Sequence, residues 1–308
     1  MVKIMAVFKG KAPPHLRKMR KFCGLRRRSV GVALSEDAFL GDLTTASVLK
    51  QNPIISGKII CQGNGVLAGI EEAKWAIGAQ NAVFLIKNGA ALKPGIAVAV
   101  VRARAGVVLK RIRTSLNYLS RLSGLATNAE RLSKKFGKNR LAALRKTSPG
   151  LGVSEKAALQ VGGVMAHRVT LGDGVLIKKE HVTIIQRELG GSRVMAVFEA
   201  TRRAVAYVKR GGLRARGVFV GVEIETLNEA LWAARAKPDI ILFDNLSPKK
   251  TRIVADRIRN LDRGIIVEAS GAITEETAGL YLRAGADVVS GSFVLDAKPV
   301  SFKFSLDG

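Results

Sequence analysis

The spacing of apolar residues changes twice along the chain. Residues 54–61, 66–70 and 96–104 are short runs rich in β-branched side chains, and turns that contain glycine separate them. This pattern predicts strands, and the more polar segment 71–80 between them predicts a helix. The first part of the chain is therefore expected to mix strands and helices.

A long helix is predicted next. Its apolar residues recur at steps of three and four, which is the spacing of one buried face. They are Leu109, Ile112, Leu116, Leu119, Leu122, Leu125, Ala129 and Leu132. Small and polar residues, among them Arg113, Asn117 and Gly124, lie off this stripe. They form a face that suits close approach by another surface.

From about residue 140 the pattern alternates between strands and helices. Candidate strands cover residues 141–146, 175–178, 218–224, 240–243, 265–268 and 288–291, with helices between them, for example over 229–236 and 275–284. Repeated strand–helix units give parallel strands, and no Gly-x-Gly-x-x-Gly fingerprint follows a strand. We therefore predict a small or incomplete α/β barrel over residues 121–296. The alternation at residues 302–306 predicts a last strand, and residues 297–308 are expected to rejoin the first domain, residues 1–120.

The composition is that of a globular protein with a large positive charge. Of 308 residues, 47% are apolar, but no apolar run reaches the roughly 18 residues of a membrane span. Cys23 and Cys61 have no metal-ligand spacing, and we expect a reduced, cytoplasmic setting without a membrane partner.

The formal net charge of +27 implies anionic partners. Residues 1–35 contain no acidic residue. This basic arm is either a solvated helix or a contact for nucleic acid, and its two aromatic residues, Phe8 and Phe22, are few for stacking bases.

Cationic residues concentrate where the predicted barrel strands end. They are Arg145, Lys146, His167, Arg168 and Lys178. The loops after parallel strands meet at one mouth of a barrel, where like charges repel unless anions neutralise them. Arginine suits carboxylates, and lysine suits phosphates. The alternative is a solvated basic rim.

Acidic residues and glycine turns follow the later strands. Glu223 and Glu225 are expected to share one face of their strand, with Asp244 at the end of the next. These acids either bind ribose hydroxyls or a Mg²⁺ that carries phosphates, or they pair with nearby lysines. Ser270-Gly271 and Gly291-Ser292 follow the last strands, where backbone N–H groups favour a phosphate.

A series of short motifs carries a family resemblance. They are Gly41-Asp42-Leu43-Thr44-Thr45, Arg113-Thr114-Ser115-Leu116-Asn117, Leu122-Ser123-Gly124-Leu125-Ala126-Thr127, Arg145-Lys146-Thr147-Ser148-Pro149-Gly150-Leu151, His167-Arg168, Leu176-Ile177-Lys178, Val222-Glu223-Ile224-Glu225, Phe243-Asp244-Asn245 and Glu268-Ala269-Ser270-Gly271. From about residue 34 to the C-terminus, the residue types and the order of these motifs resemble those of quinolinate phosphoribosyltransferase, the decarboxylating enzyme of NAD biosynthesis. Each motif alone is weak, and their common order makes the resemblance specific.

The resemblance implies a fold and an assembly. The fold would be an α/β sandwich domain followed by an incomplete, roughly seven-stranded α/β barrel. The enzyme would be a homodimer or an assembly of dimers with sites at subunit interfaces. Arg113 would reach into the neighbouring subunit's site, and Arg145, His167 and Arg168 would hold the two carboxylates of quinolinate.

The resemblance also implies how the second substrate, phosphoribosyl pyrophosphate, is bound. Lys146 and Lys178 would face its pyrophosphate and the reacting centre, and Glu223 and Asp244 its ribose hydroxyls and Mg²⁺. These four residues are the predicted catalytic set. The 5-phosphate would lie against backbone N–H groups, which the resemblance places at Ser270, Gly271 and Gly291.

Four places depart from the family's usual residues. Leu144 replaces threonine, Gly152 replaces arginine, Lys179-Glu180 replaces Asp-Asn, and Ala272 replaces glycine. These positions border the predicted site, so the acceptor is left open. The alternatives are a phosphoribosyltransferase of the same fold for nicotinate or another acceptor, and a nucleic-acid-binding protein that uses the basic arm.

Overall fold

The computed structural model describes residues 22–307. These residues form two compact units, each drawn from several stretches of chain. The antiparallel unit contains residues 22–135, 147–164 and 294–307, and the parallel unit contains residues 136–146 and 165–293. The boundary predicted between residues 120 and 121 lies inside a helix of the antiparallel unit.

The antiparallel unit is built on a four-stranded sheet. Its strands are β1 (Ile54–Cys61), β2 (Gly65–Val66), β3 (Ala82–Phe84), β4 (Ala91–Leu92), β5 (Ala97–Arg104) and β12 (Phe302–Leu306). The sheet order is β12–β1–β5–β3, and β2 and β4 form a separate ribbon. Ile59 faces Phe304 in the antiparallel pairing of β1 with β12, which confirms the predicted return of the C-terminal strand. The strand predicted over residues 66–70 is shorter, because the left-handed Gly69 interrupts it and a helix begins at Ile70.

The helices of this unit are α1 (Cys23–Asp37), α2 (Leu43–Val48), α3 (Ile70–Ile77), α4 (Ala105–Phe136) and α5 (Gly152–Val161). In α4 the predicted apolar stripe is buried from Leu116 to Leu132, but Leu109 is exposed, because in the first turns the buried face is formed by Ala105 and Val108 instead.

The small, polar face of α4 packs closely within its own unit. A Cβ on Gly124 would collide with the carbonyl oxygen of Lys298, so only glycine fits this approach. Ser120 Oγ donates to the Val300 carbonyl at 2.6 Å, and Thr127 Oγ1 accepts from Val66 N–H at 2.9 Å. The close approach predicted for this face is therefore present, against β2 and the C-terminal segment.

The parallel unit alternates strands and helices. Its strands are β6 (Leu141–Ala142), β7 (Gly174–Ile177), β8 (Phe219–Ile224), β9 (Ile240–Asp244), β10 (Ile266–Ser270) and β11 (Val288–Ser290); its helices are α6 (Lys179–Leu189), α7 (Arg193–Arg210), α8 (Leu227–Arg235), α9 (Pro248–Leu261) and α10 (Glu275–Arg283). All neighbours in the order β6–β11–β10–β9–β8–β7 are parallel. A parallel bridge from Ala142 to Met165 adds a seventh position beside β6. The predicted incomplete barrel is confirmed, although the first strand is shorter than the predicted 141–146.

The two faces of the parallel sheet bury different apolar sets. Val220, Val222 and Ile224 pack with residues of the helices, while Phe219 and its neighbours on the other strands form a smaller inner cluster. This alternation was predicted for β8. The prediction that Glu223 and Glu225 share a face was wrong, because β8 ends at Ile224 and Glu225 pairs with Arg193 of α7 at 3.0 Å.

The basic arm predicted over residues 1–35 lies largely outside the described residues. Within α1, Arg26 is not a solvated charge: its guanidinium makes two hydrogen bonds, of 2.7 and 2.8 Å, to the buried Glu72. Burial alone would lower the pKa of Arg26, but the hydrogen bond and charge of Glu72 raise it. Arg26 therefore fastens α1 to α3. Among residues 22–307, no helix is both long and apolar enough to cross a membrane.

Candidate active site

The predicted site residues of the parallel unit follow or end its strands. Arg145 and Lys146 follow β6, Lys178 follows β7, Glu223 is near the end of β8, Asp244 and Ser270 end β9 and β10, and Gly291 follows β11. Since parallel strands end at one edge, these residues lie around a common rim, which we call the mouth. Arg113 is the exception: it belongs to the antiparallel unit, where it is exposed on α4.

The segment between β6 and β7 carries two buried polar residues, His167 and Arg168. His167 has a φ of 47°, which is uncommon for a residue with a side chain. The carboxylate of Asp173 accepts hydrogen bonds from the N–H groups of Val169 and Thr170, at 3.0 and 2.9 Å. An arginine N–H of Arg168 approaches the Gly174 carbonyl at 3.4 Å. The loop therefore holds a cationic side chain in a fixed, buried position.

The electrostatic environment of Arg168 shows which groups surround it. Burial lowers the pKa of Arg168, and the positive charge of Arg145 lowers it further. The carboxylates of Glu223 and Asp173 act in the opposite direction. Arg145 and Glu223 are thus each close enough to Arg168 to act on its charge.

Lys178 and Glu223 form an ion pair across neighbouring strands. Lys178 Nζ lies 2.8 Å from Glu223 Oε1, and the lysine side chain remains 46% exposed. The backbone N–H of Lys178 donates to His181 Nδ1 at 3.0 Å, which fixes the start of α6. Pairing of the acids with a nearby lysine was one of the two alternatives predicted for them. An exposed pair of this kind can be opened at small cost by an incoming charged ligand.

His167 contacts an acid inside the barrel. Its Nε2 lies 3.2 Å from Glu268 Oε2, and both side chains are almost fully buried. The imidazole also meets the ring of Phe219 edge-on, with the ring centroids 5.6 Å apart. Among the described residues, Glu268 Oε1 and Ser290 Oγ are buried without a hydrogen-bond partner. The inner wall below the mouth is therefore polar at these positions.

Asp244 and the Ser270-Gly271 turn are neighbours at the ends of β9 and β10. The two strands are paired in register, with Ser270 beside Asp244. Asp244 is half-buried and Ser270 is buried. Gly271 has a φ of 110°, a conformation that side chains rarely adopt. Gly291 is buried directly after β11.

Comparisons with known proteins agree with this arrangement. A family model described as the C-terminal domain of quinolinate phosphoribosyl transferase matches residues 125–305, and the model for the N-terminal domain matches residues 42–123. The chain belongs to the quinolinate phosphoribosyltransferase family. The resemblance read from the motifs is therefore confirmed, and together the two family models span all the motif residues except Gly41 and Gly124.

Similar proteins of the quinolinate phosphoribosyltransferase family come from distant organisms. A probable carboxylating nicotinate-nucleotide pyrophosphorylase of Methanothermobacter thermautotrophicus is 31% identical over 282 residues, which cover 88% of this chain and 95% of that protein. The carboxylating nicotinate-nucleotide pyrophosphorylase of Homo sapiens is 33% identical over 227 residues, or 72% of this chain and 71% of the human protein. The solved nicotinate-nucleotide pyrophosphorylase of Francisella tularensis matches with a TM-score of 0.75 at 26% identity, covering 92% of this chain and 97% of that one. The predicted fold class is confirmed.

Glu223 and Asp244 at the mouth can bind a metal ion only together with a bound substrate that also coordinates it. Within residues 22–307 no group of three or more His, Cys, Asp or Glu side chains is arranged to hold a metal. Glu223 and Asp244 lie on adjacent strands, and Glu223 already pairs with Lys178. Mg²⁺ often binds through one or two carboxylates together with substrate phosphates, so this donor set fits a magnesium ion that arrives with a diphosphate.

Sequence reasoning missed two contacts at the candidate site. Glu268 was quoted only as part of a motif, and its contact with His167 was not predicted. An acid within the apolar run that forms β10 was the available signal, because such an acid needs a partner when it is buried. Asp173 was also missed, although it follows Gly172 in a loop, where aspartate side chains commonly accept backbone hydrogen bonds.

Proposed function

We propose that this chain is a decarboxylating quinolinate phosphoribosyltransferase, which converts quinolinate and phosphoribosyl pyrophosphate to nicotinate mononucleotide, pyrophosphate and carbon dioxide. The family membership supports this proposal. The observation that carries it is the ion pair of Lys178 with Glu223 at the ends of neighbouring parallel strands, on the same rim as Arg145 and the buried Arg168. Such a rim suits two substrates that are both polyanions.

In the proposed first step, the ring nitrogen of quinolinate forms a bond to C1 of the ribose while the C1–oxygen bond to pyrophosphate breaks. Arg145, His167 and Arg168 would hold the two carboxylates, which orients the nitrogen for attack. Lys146 and Lys178 would bind the departing pyrophosphate and offset its growing charge. Glu223 and Asp244 would help to hold a Mg²⁺ that arrives with the diphosphate, and this ion would supply positive charge for the leaving group.

In the proposed second step, the bond from the ring to the carboxylate beside the nitrogen breaks and releases carbon dioxide. Its electron pair stays on the ring carbon, where the positively charged nitrogen stabilises it until a proton is added. Burial of His167 and Glu268 below the mouth supports this step, because a site with little water strengthens the electrostatic effect. No covalent enzyme intermediate is required.

We further propose that the enzyme is a homodimer that contributes Arg113 to its partner's site. The apolar side chains of Phe39, Leu40 and Leu43 are largely exposed, and exposed apolar clusters often mark subunit interfaces. We propose the cytoplasm as its location, because the free thiol of Cys23 is exposed and suits a reducing compartment.

Product analysis tests the reaction and its acceptor together. Purified protein is incubated with phosphoribosyl pyrophosphate, Mg²⁺ and either quinolinate or nicotinate, and pyrophosphate and carbon dioxide are both measured. We expect equal amounts of the two products with quinolinate and no pyrophosphate with nicotinate. Lys146→Ala and Arg168→Ala serve as inactive controls. Pyrophosphate release with nicotinate alone would replace the proposed acceptor, and no release with either would overturn the phosphoribosyltransferase proposal.

A further inference from the structure

Asn245 connects the ends of two strands at the mouth. It follows Asp244 directly and has a φ of 58°, in the left-handed region. Its backbone N–H donates to the carbonyl of Ser270 at 3.1 Å. Its side-chain Oδ1 accepts a hydrogen bond from the N–H of Ala272 at 3.0 Å. Asn245, the first residue after β9, therefore forms hydrogen bonds to Ser270 and Ala272, the two neighbours of Gly271 in the chain.

These bonds determine the shape of the turn that follows β10. A Cβ on Gly271 would collide with Asn245 Oδ1, so the side chain of Asn245 fills the space beside the glycine. The N–H of Ile273 donates to the Gly271 carbonyl at 2.8 Å. The N–H groups of Ala272 and Ile273 are thus used inside the protein, whereas the N–H of Gly271 makes no hydrogen bond to residues 22–307.

We infer that Asn245 is a positioning residue for the phosphate end of phosphoribosyl pyrophosphate. It holds the turn so that the Gly271 N–H stays available to an anion, while the neighbouring donors are occupied. This inference rests on the proposed function, in which the turn binds the 5-phosphate. The left-handed conformation of Asn245 is part of the arrangement, since asparagine adopts it more readily than most residues.

The position of Asn245 gives it a specific expected effect. Asp244 is proposed to face the diphosphate end of the substrate, and the turn at Gly271 the 5-phosphate end. Loss of the Asn245 side chain removes the bond to Ala272 but leaves the strand that carries Asp244. The turn should therefore lose affinity for a 5-phosphate, while affinity for a diphosphate should be retained. A purely structural role would affect both ligands or neither.

Asn245→Gly tests this inference, because glycine keeps the left-handed backbone and removes only the side chain. Asn139→Gly is a matched control: Asn139 has a φ of 59° and lies before β6, at the opposite end of the strands. Binding of ribose 5-phosphate and of pyrophosphate with Mg²⁺ is measured by calorimetry. We expect Asn245→Gly to weaken ribose 5-phosphate binding about tenfold, the effect of one hydrogen bond, and to leave pyrophosphate binding within about twofold.

Steady-state kinetics gives a second comparison. Asn245→Gly should raise the KM for phosphoribosyl pyrophosphate about tenfold with little change in kcat, and Asn139→Gly should change neither. Equal losses for ribose 5-phosphate and pyrophosphate, or no loss for either, would overturn the positioning role. Failure of the proposed function is visible separately, because the unsubstituted protein would then not convert quinolinate.

Hydrogen exchange on the unsubstituted protein provides a test that does not depend on a variant folding. We expect the Ala272 amide to exchange slowly with or without ligand, because Asn245 protects it. The Gly271 amide should exchange quickly in the free protein and slow at least about threefold when ribose 5-phosphate is added. Fast exchange of the Ala272 amide would contradict the inference. So would an exchange rate of the Gly271 amide that does not change when ribose 5-phosphate is added.

Discussion

Positively charged side chains differ in their ion pairing between the mouth and the outer helices of the parallel unit. On the helices, four arginines have carboxylate partners within 3.4 Å: Arg193 with Glu225 and Glu229, Arg202 with Glu199, Arg203 with Glu188 and Glu199, and Arg259 with Asp287. At the mouth, Arg145 and Lys146 form no ion pair with any of residues 22–307, and Arg145 lies close enough to Arg168 to disfavour its charge.

This difference separates charges that stabilise the protein from charges reserved for a ligand. Paired arginines on the helices need no further anion. Cations that face one another at the mouth raise the energy of the free protein, and an anionic substrate relieves that repulsion. The comparison predicts that substitutions at the mouth reduce catalysis, whereas substitutions on the helices reduce stability.

The largest expected effect comes from removing the buried cation of the mouth. Arg168→Ala should lower kcat/KM for quinolinate roughly thousandfold, because a charged hydrogen-bond donor to a carboxylate is lost in a buried site. Arg202→Ala on α7 should leave kcat/KM within about twofold. Activity assays on the two variants check this pair. Equal losses would show that the mouth has no special role.

Gly271→Ala should reduce activity through the shape of the turn. The added Cβ collides with Asn245 Oδ1, and the φ of 110° is strained for alanine, so we expect a roughly hundredfold lower kcat/KM for phosphoribosyl pyrophosphate. Gly190→Ala is the control, because Gly190 is also left-handed but has open space around it. It should cost about 1 kcal/mol in unfolding free energy and no activity. Full activity of Gly271→Ala would contradict the proposed phosphate site.

Arg193→Ala should reduce stability and leave catalysis intact. Arg193 Nε bonds the buried Glu229 at 2.8 Å, and its loss leaves that carboxylate with backbone partners only. We expect the free energy of unfolding in urea to fall by about 2 kcal/mol. The exposed Arg187→Ala, on α6, should change it by less than about 0.5 kcal/mol. A large loss of activity in folded Arg193→Ala would contradict the prediction that substitutions on the helices reduce stability and not catalysis.

The smallest expected effect depends on pH. Hydrogen bonds from Arg202 and Arg203 lower the pKa of Glu199 to about 2. A lowered pKa stabilises the folded protein above the ordinary carboxyl pKa of 4.5, and this contribution is lost as the pH falls towards about 2. Glu199→Gln should therefore lower Tm by about 2 °C at pH 7, a small effect because the side chains of Arg202 and Arg203 are 56% and 41% exposed. At pH 3 the decrease should be smaller, because part of this contribution is already lost. A difference in Tm that grows at low pH would contradict this assignment.

The strand–helix alternation predicted the architecture well because it depends on local periodicity. The apolar run of β8 was readable, and so were the shared face of Val220, Val222 and Ile224 and the return of the C-terminal strand. The end of this candidate strand at Ile224 agrees with β8, but the alternation of side chains was extended to Glu225, where the backbone has already left the strand. Glu225 was misplaced for this reason.

The site was predictable where charges follow strands and unpredictable where contacts span the sheet. Arg145, Arg168 and Glu223 were expected at one mouth, because parallel strands end together. The contact of His167 with Glu268 depends on which strands are neighbours in the curved sheet, and the sequence does not state this. The role of Asn245 depends on a left-handed backbone conformation and on a bond to a neighbouring turn, both of which only the structure reveals.

Quinolinate and nicotinate binding tests the central claim most directly, because the two pyridines differ by one carboxylate. Calorimetry on the unsubstituted protein should show quinolinate bound at least about thirtyfold more tightly than nicotinate. Arg145→Ala should remove most of this difference, since the variant lacks one of the cations proposed to hold the second carboxylate. Equal affinities for the two pyridines, or a preference unchanged in Arg145→Ala, would contradict a mouth built to bind two carboxylates.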